Sequence, residues 1–229
     1  GKMLRRFRKS EAKYNGYLFD HSATAIACLD LYEATYDPQY IQTAKELMQI
    51  VVDQFSSDSG AFYETAIDSE ELLIRQISGY DGVEPSGNSS AAMAFLKLSA
   101  YLVKPELTQK AENIFLSFHD ELMEYGLNST YMLQALHLYL GGLKEVVILG
   151  KKNDAVTQSM LKTIRKGFFP NSIFAFSYEE DIDINAQTIP LLKDRKLKNG
   201  RTTAYVCRLG TCLPPVQTSE ALVKLLSYE

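Results

Sequence analysis

The chain has 229 residues, 46% of them hydrophobic and 23% charged, and its formal net charge is −4. This composition is typical of a folded globular protein with one large domain or two small ones, and it excludes a disordered chain. The net acidity predicts neither a nucleic-acid-binding nor a membrane-binding protein, and no stretch approaches the roughly 18 consecutive apolar residues that a membrane-spanning helix needs.

A basic cluster stands at the start of the printed sequence, between Lys2 and Lys13. We interpret it as a solvated chain end rather than a nucleic-acid or membrane contact, and it lacks the apolar core of a signal peptide. Three cysteines in a chain of this size do not form a disulfide framework. The expected setting is therefore the reducing cytoplasm.

Two helices that form an antiparallel hairpin are predicted next. Apolar residues recur at helical spacing over Leu18–Thr35, and Asp20 is placed to cap the start. Asp37 and Pro38 are typical of a helix N-cap and the first helical position, and the apolar stripe after them continues to Phe55. The first helix of this hairpin is the more apolar of the two.

A long connection separates this hairpin from the next one. Residues 61–65 are an aromatic run that suits a strand or loop better than a helix. Residues 66–86 follow, with a short extended piece at 72–75, and connections of this length in compact domains are usually functional. The connection ends in the polar segment 80–89, which leads directly into a helix.

Three more helices are predicted after this connection. They cover residues 88–102, 105–125 and 129–140, and the last is apolar nearly all round and stops at Gly141 and Gly142. In each hairpin a more apolar helix precedes an amphipathic one. This alternation is expected when inner helices are surrounded by outer ones, so the fifth helix is predicted to be an inner helix.

The pattern changes after Gly142, where we place a boundary between domains at residues 1–142 and 143–229. The second domain is predicted to be a small α/β module with about three strands. Strand–helix–strand connections of this length favour parallel pairing. In chain order its elements are a strand at 145–150, a helix at 155–166, strands at 172–176 and 202–207, and a helix at 219–226.

The polar segment 80–89 brings two carboxylates, an amide and hydroxyl groups to the start of a helix. Backbone N–H groups at a helix start attract polar or anionic groups, so we expect a ligand there. Acid–base chemistry on sugars uses a pair of carboxylates, which makes Asp81 and Glu84 the candidate catalytic residues. The alternative is structural: the two carboxylates accept backbone N–H bonds within the loop, and Ser86 caps the helix.

Histidines and cysteines supply further candidates. His21, near a helix start, is either an acid–base group or a hydrogen-bonded structural histidine. No two histidines have metal-ligand spacing, so a metal site has no support. We also predict no cofactor. Three interpretations of Cys207 and Cys212 stay open: structural free thiols, a redox-active or regulatory pair, or metal ligands. A disulfide requires their α-carbons to lie within about 7 Å. Cys28, inside an apolar helix, is predicted to be a small core residue.

Three ordered motifs resemble those of one family. They are Leu31-Tyr32-Glu33-Ala34-Thr35, Tyr80-Asp-Gly-Val-Glu-Pro-Ser-Gly-Asn-Ser89, and Ala204-Tyr205-Val206-Cys207 followed by Cys212 and Pro214. The chain is similar to the C-terminal part of the thioredoxin-domain-containing proteins related to bacterial YyaL and to spermatogenesis-associated protein 20. The resemblance implies a mainly α fold: a partial (α/α)6 toroid of helical hairpins, of the six-hairpin glycosidase and N-acylglucosamine 2-epimerase type, followed by the α/β module.

The resemblance also implies a protein that acts on or binds a carbohydrate. In such a toroid the N-termini of the inner helices converge on a central pocket. The family usually has two aspartates and a tyrosine at the first inner helix, whereas this chain has Asp20, His21 and Ser22. The ligand-binding residues expected at the pocket are Asp20, His21, Tyr80, Ser86, Asn88 and Ser89.

Two alternatives to a carbohydrate-active protein remain. The chain is a non-catalytic scaffold or interaction domain of a thioredoxin-like redox protein, or it is a truncated inactive homologue. It carries only part of the family's hairpins, and a partial toroid leaves the faces of inner helices exposed. We therefore expect it to bind another copy of itself or the missing N-terminal half of the toroid.

Overall fold

The computed structural model describes residues 3–69 and 73–227, and the predicted mainly α fold is confirmed there. Nine α-helices and two small sheets form the regular structure of these residues. None of the helices is both long and apolar enough to cross a membrane. The short extended piece predicted at 72–75 falls in part on Leu72, which lies outside the described residues, and residues 73–75 form no strand.

An exposed β-hairpin comes first. Strands β1 (Leu4–Arg8) and β2 (Glu11–Asn15) pair antiparallel, and the turn residues Lys9 and Ser10 have positive φ angles of 52° and 60°. Two successive positive φ angles are typical of the turn that joins twisted strands. The basic cluster is thus exposed, as predicted, but it forms a folded hairpin rather than a simple chain end. Lys2 lies outside the described residues.

The first helical hairpin is α1 (Leu18–Thr35) and α2 (Pro38–Phe55), with the bounds that were predicted. Asp37 caps α2, because its carboxylate accepts a hydrogen bond from the backbone N–H of Gln39 at 3.0 Å. Asp20 contributes to the cap of α1 from the third helical position, where its carboxylate accepts the backbone N–H of Tyr17 at 2.7 Å. Both aspartates therefore stabilise helix starts.

Four further helices precede the second sheet: α3 (Gly87–Leu102), α4 (Pro105–Ser117), α5 (His119–Tyr125) and α6 (Thr130–Gly141). Helix α3 is buried along nearly its whole length and contacts α1, α4 and α6. The prediction of one helix over 105–125 is wrong, since the chain leaves helical geometry at Phe118. Helix α6 buries one face and leaves Leu140 72% exposed, so it is not enclosed as an inner helix would be.

The second sheet has four strands and is mixed. Its region consists of β3 (Lys144–Gly150), α7 (Ala155–Lys166), β4 (Ser172–Tyr178), α8 (Ile182–Thr188), β5 (Thr203–Arg208), β6 (Thr211–Cys212) and α9 (Ser219–Leu226). Strands β3 and β4 pair in parallel, as predicted, while β5 adds antiparallel to the other edge of β3. The strand order is β4-β3-β5-β6. The short elements α8 and β6 had no clear sequence signal.

Tyrosines connect the helices to this sheet. Tyr32 of α1 and Tyr101 of α3 are fully buried, with ring centroids 5.2 Å apart. The Tyr32 hydroxyl accepts the backbone N–H of Phe176 in β4 at 3.4 Å, and Tyr101 donates to the Glu33 carboxylate at 2.7 Å. Burial raises the pKa of Glu33. Residues of the motif at 31–35 therefore pack the helices against the sheet.

The division into two domains and the partial toroid stay predictions.

A disulfide joins Cys207 and Cys212, which face each other across β5 and β6. Their α-carbons are 3.9 Å apart, because the two-residue turn at Leu209 and Gly210 folds β6 back on β5. The free-thiol and metal-ligand interpretations of this pair are therefore wrong, and a redox role for the disulfide stays a prediction. Cys28 is a buried free thiol, as predicted.

Candidate functional site

Helices α1, α3 and α6 begin at one end of the molecule, beneath the connection that follows α2. The Ser22 hydroxyl in α1 donates to the carbonyl of Gly87, the first residue of α3, at 3.2 Å. Gly87 packs so closely on Leu18 that an added Cβ would lie 2.7 Å from the leucine Cγ. Helix starts present N–H donors and a partial positive charge, so polar site residues gather at this end.

Asp81 links two of these helix starts. One carboxylate oxygen accepts the backbone N–H of Ser86 at 2.7 Å, just before α3. The other accepts the N–H groups of Tyr131 at 2.7 Å and Met132 at 3.2 Å, in the first turn of α6. The N–H of Asp81 donates to the Asn128 carbonyl at 2.7 Å. Both oxygens of this predicted catalytic residue are bonded to the backbone, which favours the structural alternative.

Glu84, the second predicted catalytic residue, has a different environment. Its side chain is exposed and makes no hydrogen bond or ion pair with any residue that the structure describes. Nearby, Val83 is fully exposed and Tyr80 is 63% exposed. The predicted pair thus combines one satisfied carboxylate, Asp81, with one solvated carboxylate, and its acid–base role stays a prediction.

The side chains of Ser86, Asn88 and Ser89 are buried and bonded within the protein. The Asn88 amide accepts the Phe62 N–H at 2.8 Å and donates to the carbonyls of Phe62 and Ser78, each at 2.9 Å. The Ser86 hydroxyl accepts the Ser89 N–H at 3.0 Å and donates to the Ser89 hydroxyl at 2.8 Å, which caps α3. These predicted ligand-binding residues hold the long connection in place.

His21 lines a cavity of about 300 Å³ between the β-hairpin, α1 and the end of α2. It is 4% exposed, and its Nδ1 lies 2.8 Å from the Tyr17 carbonyl oxygen. Because a carbonyl only accepts, Nδ1 donates the hydrogen bond to it, and Nε2 is left for a further partner. The cavity wall combines polar and apolar side chains, among them Asn15, Gln54, Asp68, Met3, Ile50 and Phe55.

The side chains of this cavity suit a ligand that forms hydrogen bonds. Two of them, Asn15 and Gln54, are amides that both donate and accept. Nowhere in the described part of the chain do three or more potential metal ligands lie together. Asn15, Gln54 and Asp68 come from three separate segments, and because no motif spacing relates them, the sequence carried no signal for this set.

A further carboxylate, which the sequence did not single out, lies beside the start of α1. The Glu64 carbonyl accepts the N–H of Leu18 at 3.0 Å, and the N–H of Glu64 donates to the Gln76 carbonyl at 2.8 Å. Glu64 Oε1 is buried without a hydrogen-bond partner among the described residues. Burial raises the pKa of Glu64 from 4.5 to about 7. The only sequence signal is that Glu64 is the sole acid in the aromatic run 61–65.

The substitution Glu64→Gln is expected to stabilise the protein at pH 8 and to have little effect at pH 4. Since the fold raises the pKa of this acid, the stability that its protonated form contributes is complete below 4.5 and is lost as the pH rises through about 7. Glutamine keeps the shape without the charge. Thermal melts followed by circular dichroism should show the variant about 2–4 °C above the wild type at pH 8, or about 1 kcal/mol after allowance for partial exposure.

Glu84→Gln is the matched control for this measurement, because it removes an exposed carboxylate from the same connection. Its melting temperature should follow that of the wild type at both pH values. A Glu64→Gln stabilisation of equal size at pH 4 and pH 8 would show that charge burial is not its cause.

Comparison with known proteins finds distant relatives. The chain is 25% identical to spermatogenesis-associated protein 20 of Homo sapiens over 213 residues, which cover 92% of this chain. It is also 25% identical to the protein of that name from Rattus norvegicus over 213 residues and to an uncharacterized protein of Caenorhabditis elegans over 209 residues, covering 92% and 91% of the chain. No protein-family model matches the chain.

These matches support a distant relation to spermatogenesis-associated protein 20, in agreement with the resemblance of the three motifs. They do not bear on the toroid arrangement. The chain spans 27% of the length of the human and rat proteins and 28% of the Caenorhabditis elegans protein. What those longer proteins do as a whole therefore does not transfer to this chain as a fact.

Proposed function

We propose that this chain binds a small polyhydroxylated ligand, such as a monosaccharide, in the cavity beside His21. The observation that carries the proposal is the lining of the cavity: Asn15, Gln54 and Asp68 supply hydrogen-bonding groups, and Met3 and Ile50 supply an apolar wall. The volume of about 300 Å³ lies at the lower end of the range for small-molecule sites. A ligand of monosaccharide size suits such a space.

Sugars match this lining because their hydroxyl groups donate and accept hydrogen bonds while their C–H faces are apolar. The amides of Asn15 and Gln54 can donate hydrogen bonds to sugar hydroxyl groups and accept hydrogen bonds from them. The ring of Phe55 packs against the ring of His21, with centroids 5.2 Å apart. Since both rings are held in position before a ligand arrives, less conformational entropy is lost on binding.

Binding is favoured over acid–base catalysis by the polar segment 80–89. Both oxygens of Asp81 accept backbone N–H bonds, and turning the carboxylate toward a ligand would leave helix starts without their partner. Glu84 is solvated and has no partner that would orient it among the described residues. The name of spermatogenesis-associated protein 20 states no ligand, so the carbohydrate class comes from the family resemblance and from the cavity lining.

The proposal is tested by thermal shift with glucose, mannose and N-acetylglucosamine. For a Kd of about 1 mM and a sugar concentration of about 50 mM, binding adds about 2.3 kcal/mol to the free energy of unfolding and raises the melting temperature by roughly 5–9 °C. Gln54→Leu should abolish the shift, because it removes an amide from the cavity wall.

Gln39→Leu is the matched control, since it makes the same change at an exposed position near the start of the same helix. It should keep the wild-type shift. General solvent effects of sugars act on both variants alike, so the comparison isolates the cavity. No shift in the wild type, or an equal shift in Gln54→Leu, would overturn the proposal.

A further inference from the structure

A second cavity lies at the base of the β1–β2 hairpin and adjoins the cavity beside His21. Its volume is about 760 Å³, and its lining includes Arg5, Arg6 and Thr65. Asn15 lines both cavities. A ligand long enough to extend past Asn15 would contact the walls of both cavities.

Two guanidinium groups of this second cavity have no carboxylate partner in the part of the chain that the structure describes. The Arg5 guanidinium lies 4.3 Å from the centre of the Tyr17 ring, and that of Arg6 lies 4.7 Å from the centre of the Tyr14 ring. Stacking on an aromatic ring orients the planar group and leaves its N–H edges available. Two oriented positive charges in one cavity favour an anionic ligand.

Thr65 adds a hydrogen-bonding group that lacks a partner. Its hydroxyl oxygen is buried and makes no hydrogen bond to any described residue. The carbonyl of Thr65, by contrast, accepts a hydrogen bond from the Arg75 guanidinium. A buried polar group without a partner destabilises the fold, and a ligand that bonds to the hydroxyl removes that cost.

We propose that this second cavity binds the phosphate group of a phosphorylated ligand whose polyhydroxylated part occupies the cavity beside His21. This step rests on the proposed function. A phosphate monoester carries a charge of about −1.5 to −2 and three acceptor oxygens. Those oxygens match the guanidinium groups of Arg5 and Arg6 and the hydroxyl of Thr65, whereas a carboxylate has only two oxygens to offer.

Calorimetric titration with glucose 6-phosphate, glucose and inorganic phosphate tests this assignment. The ionic strength is held constant, because salt screens exposed charges. The wild type should bind glucose 6-phosphate about tenfold or more tightly than glucose, as expected for hydrogen bonds to a charged group. Arg5→Gln, Arg6→Gln and Thr65→Val should each weaken binding of glucose 6-phosphate and leave the affinity for glucose unchanged.

Arg8→Gln is the matched control, since Arg8 is exposed on the same strand and does not line the cavity. It should bind glucose 6-phosphate like the wild type. Equal weakening in Arg8→Gln and Arg5→Gln would mean diffuse attraction by the hairpin and would overturn the assigned site.

The three probes separate this inference from the proposed function. If glucose and glucose 6-phosphate bind with equal affinity, the phosphate site is refuted and the proposed function stands. If inorganic phosphate binds while glucose and glucose 6-phosphate do not, the sugar site is refuted, and with it the link between the two cavities. If none of the three binds, both proposals fail.

Discussion

Replacing Asn88 with alanine is expected to lower the free energy of unfolding by about 3 kcal/mol. Asn88 is completely buried, and its amide makes hydrogen bonds of 2.8–2.9 Å to backbone groups of Phe62 and Ser78. Alanine leaves those backbone groups without partners and opens a small cavity. Urea denaturation should show the loss as a lower midpoint with an unchanged slope.

Asn128→Ala is the matched control for Asn88→Ala, because the Asn128 side chain is exposed at the same end of the molecule. Its effect should stay within about 0.5 kcal/mol. Asn88→Asp should also destabilise, since it keeps the acceptor for the Phe62 N–H but loses both donors. If Asn88→Ala proves as stable as Asn128→Ala, the amide is free for a ligand, as the sequence predicted.

Asp81→Asn is the second substitution with a large expected effect, a loss of about 2 kcal/mol in the free energy of unfolding. An amide has one acceptor oxygen, which can serve Ser86 or the N–H groups of Tyr131 and Met132, but not both sides. Its NH₂ group then faces an N–H donor. Urea denaturation measures the loss, and hydrogen exchange should become faster at the amides of Tyr131 and Met132.

The control for Asp81→Asn is again Glu84→Gln, which removes the other predicted catalytic carboxylate. It should change the free energy of unfolding by less than about 0.5 kcal/mol, as is usual for an exposed side chain. A wild-type denaturation midpoint for Asp81→Asn would mean that the backbone does not need this carboxylate. The catalytic interpretation of Asp81 would then regain support.

Local signals were enough to place many elements of this fold. Helices α1, α2, α7 and α9 have the predicted bounds, because each combines an apolar face of helical period with a start or stop signal a few residues away. The break at Phe118 was missed, since the apolar period continues through it and no glycine or proline marks it. The N-terminal hairpin was missed because three of the five residues of β1 are arginines and both strands are short and almost entirely exposed.

In the candidate site, too, the sequence predicted the local contacts and missed those between residues that are distant along the chain. Residues 80–89 were sufficient to locate a helix start and its Ser86 cap, since the capped N–H belongs to a residue three positions away. They were not sufficient to predict that the side chains of Asp81 and Asn88 bond to the backbone. Their partners lie 50 and 26 residues distant along the chain, at Tyr131 and Phe62.

A carboxylate or amide has the same chemistry whether it faces a ligand or a backbone N–H group. Which of the two it meets depends on how α3 packs against α6 and on how the long connection folds over their starts. The lining of the two cavities and the pairing of Cys207 with Cys212 depend in the same way on the assembled fold. Helix signals act over three or four residues, whereas these contacts join segments that only the packed core brings together.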